Sequence, residues 1–252
     1  MRTLILMMAT AGLLAGAATN SWAHAAADQS KAAAAQQTAK NYEFKGDVAR
    51  ARDDNASAAA WYGAATRYDK NNAALYNKLG IAQLKSGNMN GARKAFGDAV
   101  RRDPTLVDAL NNLGAVDCLQ RRYKPAVRYL KRALALDETK AAAHLNLAEA
   151  WMGQKQLERA MTEYARALEL DADILSSSDK EGVFAQITTP EQQALIQFLI
   201  AKAYAKRGNL EGALDYLKRA KESHYRQIAS VYTDPVFAAL WKDPRLTAIV
   251  KP

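Results

Sequence analysis

Apolar positions in the middle of the chain recur at helical spacing, and then the whole pattern recurs as a block. Within residues 73–86, Tyr76, Leu79, Gly80 and Gln83 fall on one stripe; within 89–102, Ala92, Phe96 and Ala99 do the same. Polar and charged residues fill the opposite faces. The spacing predicts two amphipathic helices joined by Ser86-Gly87-Asn88, where glycine can take the left-handed position that ends a helix. Asp103-Pro104 is expected to stop the second helix and to open the next one with proline in its first turn.

The block is copied along the chain. Leu79-Gly80, Leu113-Gly114 and Leu147-Ala148 stand at one interval of about 34 residues. Ala92, Ala126 and Ala160 keep the same interval, as do Phe96, Leu130 and Tyr164, and then Ala99, Ala133 and Ala167. Residues as small as Gly80 and Ala92 are needed where two helices approach too closely for a larger side chain. One helix pair cannot bury its apolar face alone, so successive pairs stack and share a core. In order, Tyr76, Leu79, Gly80, Ala92, Phe96, Ala99 and Pro104 give a pattern that resembles the tetratricopeptide repeat (TPR) family. The resemblance implies an all-α fold, a right-handed α-solenoid of helix–turn–helix repeats with C-terminal capping helices. It also implies a non-catalytic scaffold for protein–protein contacts.

The register divides the chain. Residues 1–23 read as a cleavable export signal: Arg2, then an apolar run from Leu4 to Ala18, then Ser21-Trp22-Ala23 and Ala23-His24-Ala25 as cleavage sites. That run is short for a membrane span, and the expectation is a periplasmic or secreted protein. Residues 24–38 form an Ala/Gln-rich linker that either extends the first helix or stays unstructured. Repeats are expected at 39–72, 73–106, 107–140 and 141–174, the first with Asp53-Asp54-Asn55 in place of a glycine turn. Residues 175–193 break the register as an insertion loop whose Val183, Phe184 and Ile187 can dock back; it ends in a helix start at Thr189-Pro190. A further repeat covers 194–227. Residues 228–252 hold two Asp-Pro helix starts, at Asp234 and Asp243, and read as capping helices.

Composition then narrows the function. The lone Cys118 rules out a disulfide within the chain and reads as a small buried hydrophobe. His24 lies at the signal boundary, His144 takes the register position of Tyr76, and His224 follows a helix end. No metal-binding His pair, phosphate-cradling glycine loop or nucleophile elbow is present, so no enzyme activity, cofactor or metal is expected.

By family register, the inner helices line a concave groove for a protein or peptide partner. Its residues are Asn77, Ile81, Leu84 and Lys85, then Asp108, Asn111, Asn112, Ala115 and Leu119, then Leu145, Asn146, Glu149 and Met152. Asn112 and Asn146 match the asparagine with which the family often bonds a ligand's backbone; a polar contact inside the fold accounts for them equally well. The groove lacks the Lys/Arg set of repeats that grip chaperone C-termini, and Lys78 stands where that clamp uses asparagine. Its Met and Leu residues suit a helix or apolar peptide.

The chain has 35 Lys and Arg against 26 Asp and Glu, a net charge of +9. Much of the excess falls on second helices and turns, at Arg93, Arg101, Arg121, Arg128 and Arg132. Such a basic convex face is either simply solvated or a contact for anionic membrane or cell-wall polymer. Nucleic acid is not expected, because no base-stacking or groove-reading motif accompanies the charge.

Overall fold

The two helices of a pair pack closely because one supplies a small residue where the other supplies a large one. The computed structural model describes residues 2–171, 174 and 190–251, with side chains from residue 26 onward except at 157 and 192. Among these residues every regular element is helical. The first is α1 (Arg2–Ala51), followed by α2 (Asn55–Tyr68), α3 (Ala73–Lys85), α4 (Met89–Arg102), α5 (Val107–Leu119) and α6 (Tyr123–Leu136). Then come α7 (Ala141–Gly153), α8 (Leu157–Leu170), α9 (Pro190–Lys206) and α10 (Leu210–Glu222). Two 3₁₀ segments, Ile228–Tyr232 and Pro235–Leu240, and α11 (Pro244–Val250) close the array.

The helices pair in order, α1 with α2, α3 with α4, α5 with α6, α7 with α8 and α9 with α10, and each pair packs on the next. The inner helix α5 also touches α3 on one side and α7 on the other. The result is a right-handed α-solenoid, as the repeat pattern implied. Close approach inside a pair has a direct measure. A Cβ on Gly80 would sit 2.5 Å from the Phe96 ring, and one on Gly114 would sit 2.5 Å from Leu130. Phe96, Leu130 and Tyr164 are all fully buried.

Residues 26–38 lie within α1, so the linker extends the first helix. Among the described residues no helix is long and apolar enough to cross a membrane. Residues 175–189, including Val183, Phe184, Ile187 and Thr189, lie outside the described residues.

The turns hold one surprise. Gly87 has φ +85° and Gly208 +74°, but Asp53, Arg121 and Lys155 take the equivalent position at +58°, +58° and +61°. The expected proline start is also displaced. Here α5 begins at Val107, three residues past Pro104. Asp103 accepts from the Thr105 backbone N–H at 2.9 Å and from its hydroxyl at 2.6 Å, and this small turn precedes the helix. Asp137 and Thr139 repeat it at 2.9 and 2.7 Å. At the other end, Asp234 and Asp243 do cap their segments, and Phe237, Leu240 and Leu246 are buried against the last pair.

Candidate functional site on the inner helices

Helix α3 presents Asn77, Ile81 and Leu84 as half-buried side chains and Lys85 as an exposed one. On α5, Asp108 is exposed and Leu119 half-buried, while Asn111, Asn112 and Ala115 are buried. On α7, Met152 is half-buried, and Leu145, Asn146 and Glu149 are buried. The accessible groove residues are therefore concentrated on α3 and at the helix ends. All of Ala109–Cys118 on α5 is shielded from water.

The asparagines bond one another. Asn146 Nδ2 donates to Asn111 Oδ1 at 2.9 Å, Asn111 Nδ2 to Asn112 Oδ1 at 3.3 Å, and Asn112 Nδ2 to Asn77 Oδ1 at 3.0 Å. Lys78 continues the series, donating to Glu43 at 2.8 Å and to Asp47 at 2.9 Å. The links Lys78–Glu43, Asn112–Asn77 and Asn146–Asn111 each span 35 positions, and Lys78–Asp47 spans 31. Buried amides satisfied in this way fix how the inner helices stack. Burial disfavours the charge on Lys78, but its bonds to Glu43 and Asp47 prevail and hold its pKa above the ordinary value. Sequence reasoning missed Glu43 and Asp47; the signal for Glu43 is its one-position offset from the repeat interval, while Asp47 lies one helical turn further along α1.

Glu149 lies in the floor of α7. Burial pushes its carboxyl pKa up to about 7, although the Tyr164 hydroxyl donates to Oε1. Cys118 is buried beside it, and desolvation pushes its thiol up to about 12, so it is an unreactive hydrophobe. His144 Nδ1 lies 2.6 Å from Glu163 and Nε2 3.0 Å from the Glu138 carbonyl, which ties the ring to α8 and to the turn that precedes α7. Among the described residues no cluster of His, Cys and carboxylates could hold a metal ion.

Two family models described as tetratricopeptide repeat match the sequence, over residues 45–115 and 119–176, between them half of the chain. The chain belongs to the tetratricopeptide repeat family. Solved structures of TPR proteins share its fold. A MamA protein is 22% identical with a TM-score of 0.54, over 79% of this chain and 96% of that one. MamA from Desulfovibrio magneticus RS-1 is 21% identical with a TM-score of 0.54, over 74% and 94%. YrrB, whose structure is described as a TPR protein with an unusual peptide-binding site, is 21% identical with a TM-score of 0.50, over 76% and 90%. No curated protein matches the sequence. TPR arrays of this kind are interaction scaffolds that bind protein or peptide partners, generally without catalysis.

On the outer side, Arg93, Arg101 and Arg132 line one cleft between α4 and α6. The other two predicted basic residues lie outside it. Arg121 occupies the strained turn, and the Arg128 guanidinium sits 5.2 Å from the Tyr129 ring centre. Lys94 and Arg122 join the cleft.

Proposed function

We propose that this TPR protein is a non-catalytic adaptor of the bacterial cell envelope that holds a helix or apolar peptide of its partner against the inner face. The observation that carries the reading is the pair of half-buried apolar side chains, Ile81 and Leu84, on an inner helix of an array built for such contacts. Leu119 and Met152 extend the apolar strip, and Lys85 and Asp108 supply a charged rim. Affinity then comes from a few apolar anchors, with the polar rim setting register. The proposed binding surface begins at α3, where the groove is accessible, rather than at the buried Asn112 and Asn146. The peptide-binding site named for YrrB fits the same class of ligand. Export rests on the sequence of residues 1–23 alone.

The test is affinity capture from envelope extract with the wild type, Leu84→Asp and Met152→Asp, read by mass spectrometry and circular dichroism. A partner captured by the wild type is lost in Leu84→Asp at unchanged helicity, and Met152→Asp weakens it. A partner retained by both variants overturns the groove assignment. N-terminal sequencing of the same preparation starts just after residue 23 or 25; an intact Met1 in a cytosolic fraction overturns export.

A further inference from the structure

The outer cleft is lined by several cationic side chains. It encloses about 820 Å³ between α4 and α6, with α5 as its floor. Of its lining residues, Arg93, Lys94, Arg101, Arg122 and Arg132 are cationic and none is Asp or Glu. Gly97 leaves the α4 wall without a side chain, and a Cβ there would meet open space. Val100, Leu113 and Tyr129 give the cleft an apolar patch.

Two of the arginines are held in place from behind. Asp117, fully buried on α5, binds both through one carboxylate oxygen, Arg93 Nε at 2.6 Å and Arg122 Nε at 3.2 Å. Contact through Nε leaves each guanidinium's terminal Nη pair for another acceptor, and that pair is the fork that fits a phosphate or carboxylate. The bonds found for Arg93 and Arg122 use none of these Nη atoms. Arg101 is partly neutralised by Asp98, and Arg132 reaches the Pro104 carbonyl at 3.3 Å. Positive charge gathered in a cleft with low-dielectric walls focuses the field on an anion.

We infer that the cleft between α4 and α6 is a binding site for a ligand carrying linked phosphate groups. Phosphate fits better than an acidic peptide. An extended peptide turns a carboxylate to the same face only every ~6.6 Å, the length of two residues. A run of phosphates carries charge on every unit and offers each guanidinium two acceptor oxygens. The ligand is either a soluble polyphosphate compound or the headgroup of a phosphate-bearing lipid. The site uses none of the inner-face residues, so it stands or falls independently of the peptide groove.

Titration calorimetry of the full chain with inorganic tripolyphosphate tests it. The wild type gives saturable one-to-one binding. Arg93→Gln weakens it by at least about tenfold. Since that change leaves Asp117 with one partner fewer, Lys94→Gln/Arg132→Gln serves as a second variant that does not touch Asp117, and it weakens binding comparably. Arg121→Gln/Arg128→Gln, the same loss of charge outside the cleft, shifts affinity by no more than about twofold. No binding by the wild type, or equal losses inside and outside the cleft, overturns the site. A pentaglutamate peptide that binds as well as tripolyphosphate overturns the phosphate assignment. Cardiolipin vesicles, with two linked phosphates in each headgroup, that bind and are displaced by tripolyphosphate assign the phosphates to a lipid headgroup; vesicles that do not bind assign them to a soluble ligand.

Discussion

Arg121 and Lys155 hold a backbone conformation that suits glycine, at φ +58° and +61°. A side chain in the left-handed region pays roughly 1 kcal/mol for the crowding of its Cβ. Gly87 and Gly208 avoid that cost at the same place in their own repeats. Glycine returns part of the gain through the greater freedom of the unfolded chain. Arg121→Gly and Lys155→Gly are each expected to stabilise the protein by about 0.5–1 kcal/mol, read as a higher urea midpoint. A lower midpoint in both would mean that local contacts of the long side chains outweigh backbone strain. Neither residue carries a turn signature of its own. Only their register with Gly87 marks them, so the sequence pattern locates the turn while its strain is visible only in the backbone.

In the first four pairs one pair of matching positions varies along the array. The outer-helix residue is Tyr62, Phe96, Leu130 and Tyr164 in turn. The inner-helix residue at the matching position is Asp47, Ile81, Ala115 and Glu149. A carboxylate faces tyrosine in the first and fourth pairs, with Tyr62 donating to Asp47 at 2.7 Å and Tyr164 donating to Glu149. The two pairs between carry apolar residues at both positions. Repeat periodicity made the packing positions legible, but not this matching of polarity, which needs both helices placed. It also could not show that Glu149 and its neighbours are shut off from water while Leu84 is not, because one stripe on a helix looks alike whether open or covered. A pH dependence follows. Glu149 has an ordinary carboxyl pKa of 4.5 and a folded one of about 7. Below the lower value both states are protonated, and the folded form keeps its full stability. Between the two values only the unfolded chain releases the proton, so stability falls as pH rises and levels off above about 7. The span is worth up to about 3 kcal/mol. Glu149→Gln, which keeps an acceptor for Tyr164, should match the wild type near pH 4 and exceed it by about 2–3 kcal/mol at pH 8. Urea midpoints across that range decide it, and a difference that does not change with pH would show that Glu149 ionises without cost.

In a linear array each unit touches only its neighbours, so the molecule melts as one only if the junctions are strong. Here the first three junctions share a polar ladder on the inner helices, and its links differ in kind. Between the first and second pairs the link is Lys78 with Glu43 and Asp47, partly exposed and screened by solvent. Between later pairs it is amide to amide with both Asn111 and Asn146 buried. Asn112→Ala would strand the Asn111 amide in the interior, at a cost of about 1–3 kcal/mol, while half-exposed Asn77 can turn to water. Lys78→Ala, with partners that solvent can reach, would cost under about 1 kcal/mol. The larger penalty falls on a junction, so it weakens coupling as well as stability. Native-state hydrogen exchange should then separate α2 and α3, opening at lower free energy, from α5 to α7, whose protection changes less. Protection lowered equally across the described helices would show that apolar stacking alone joins the repeats and that the ladder only fixes their alignment.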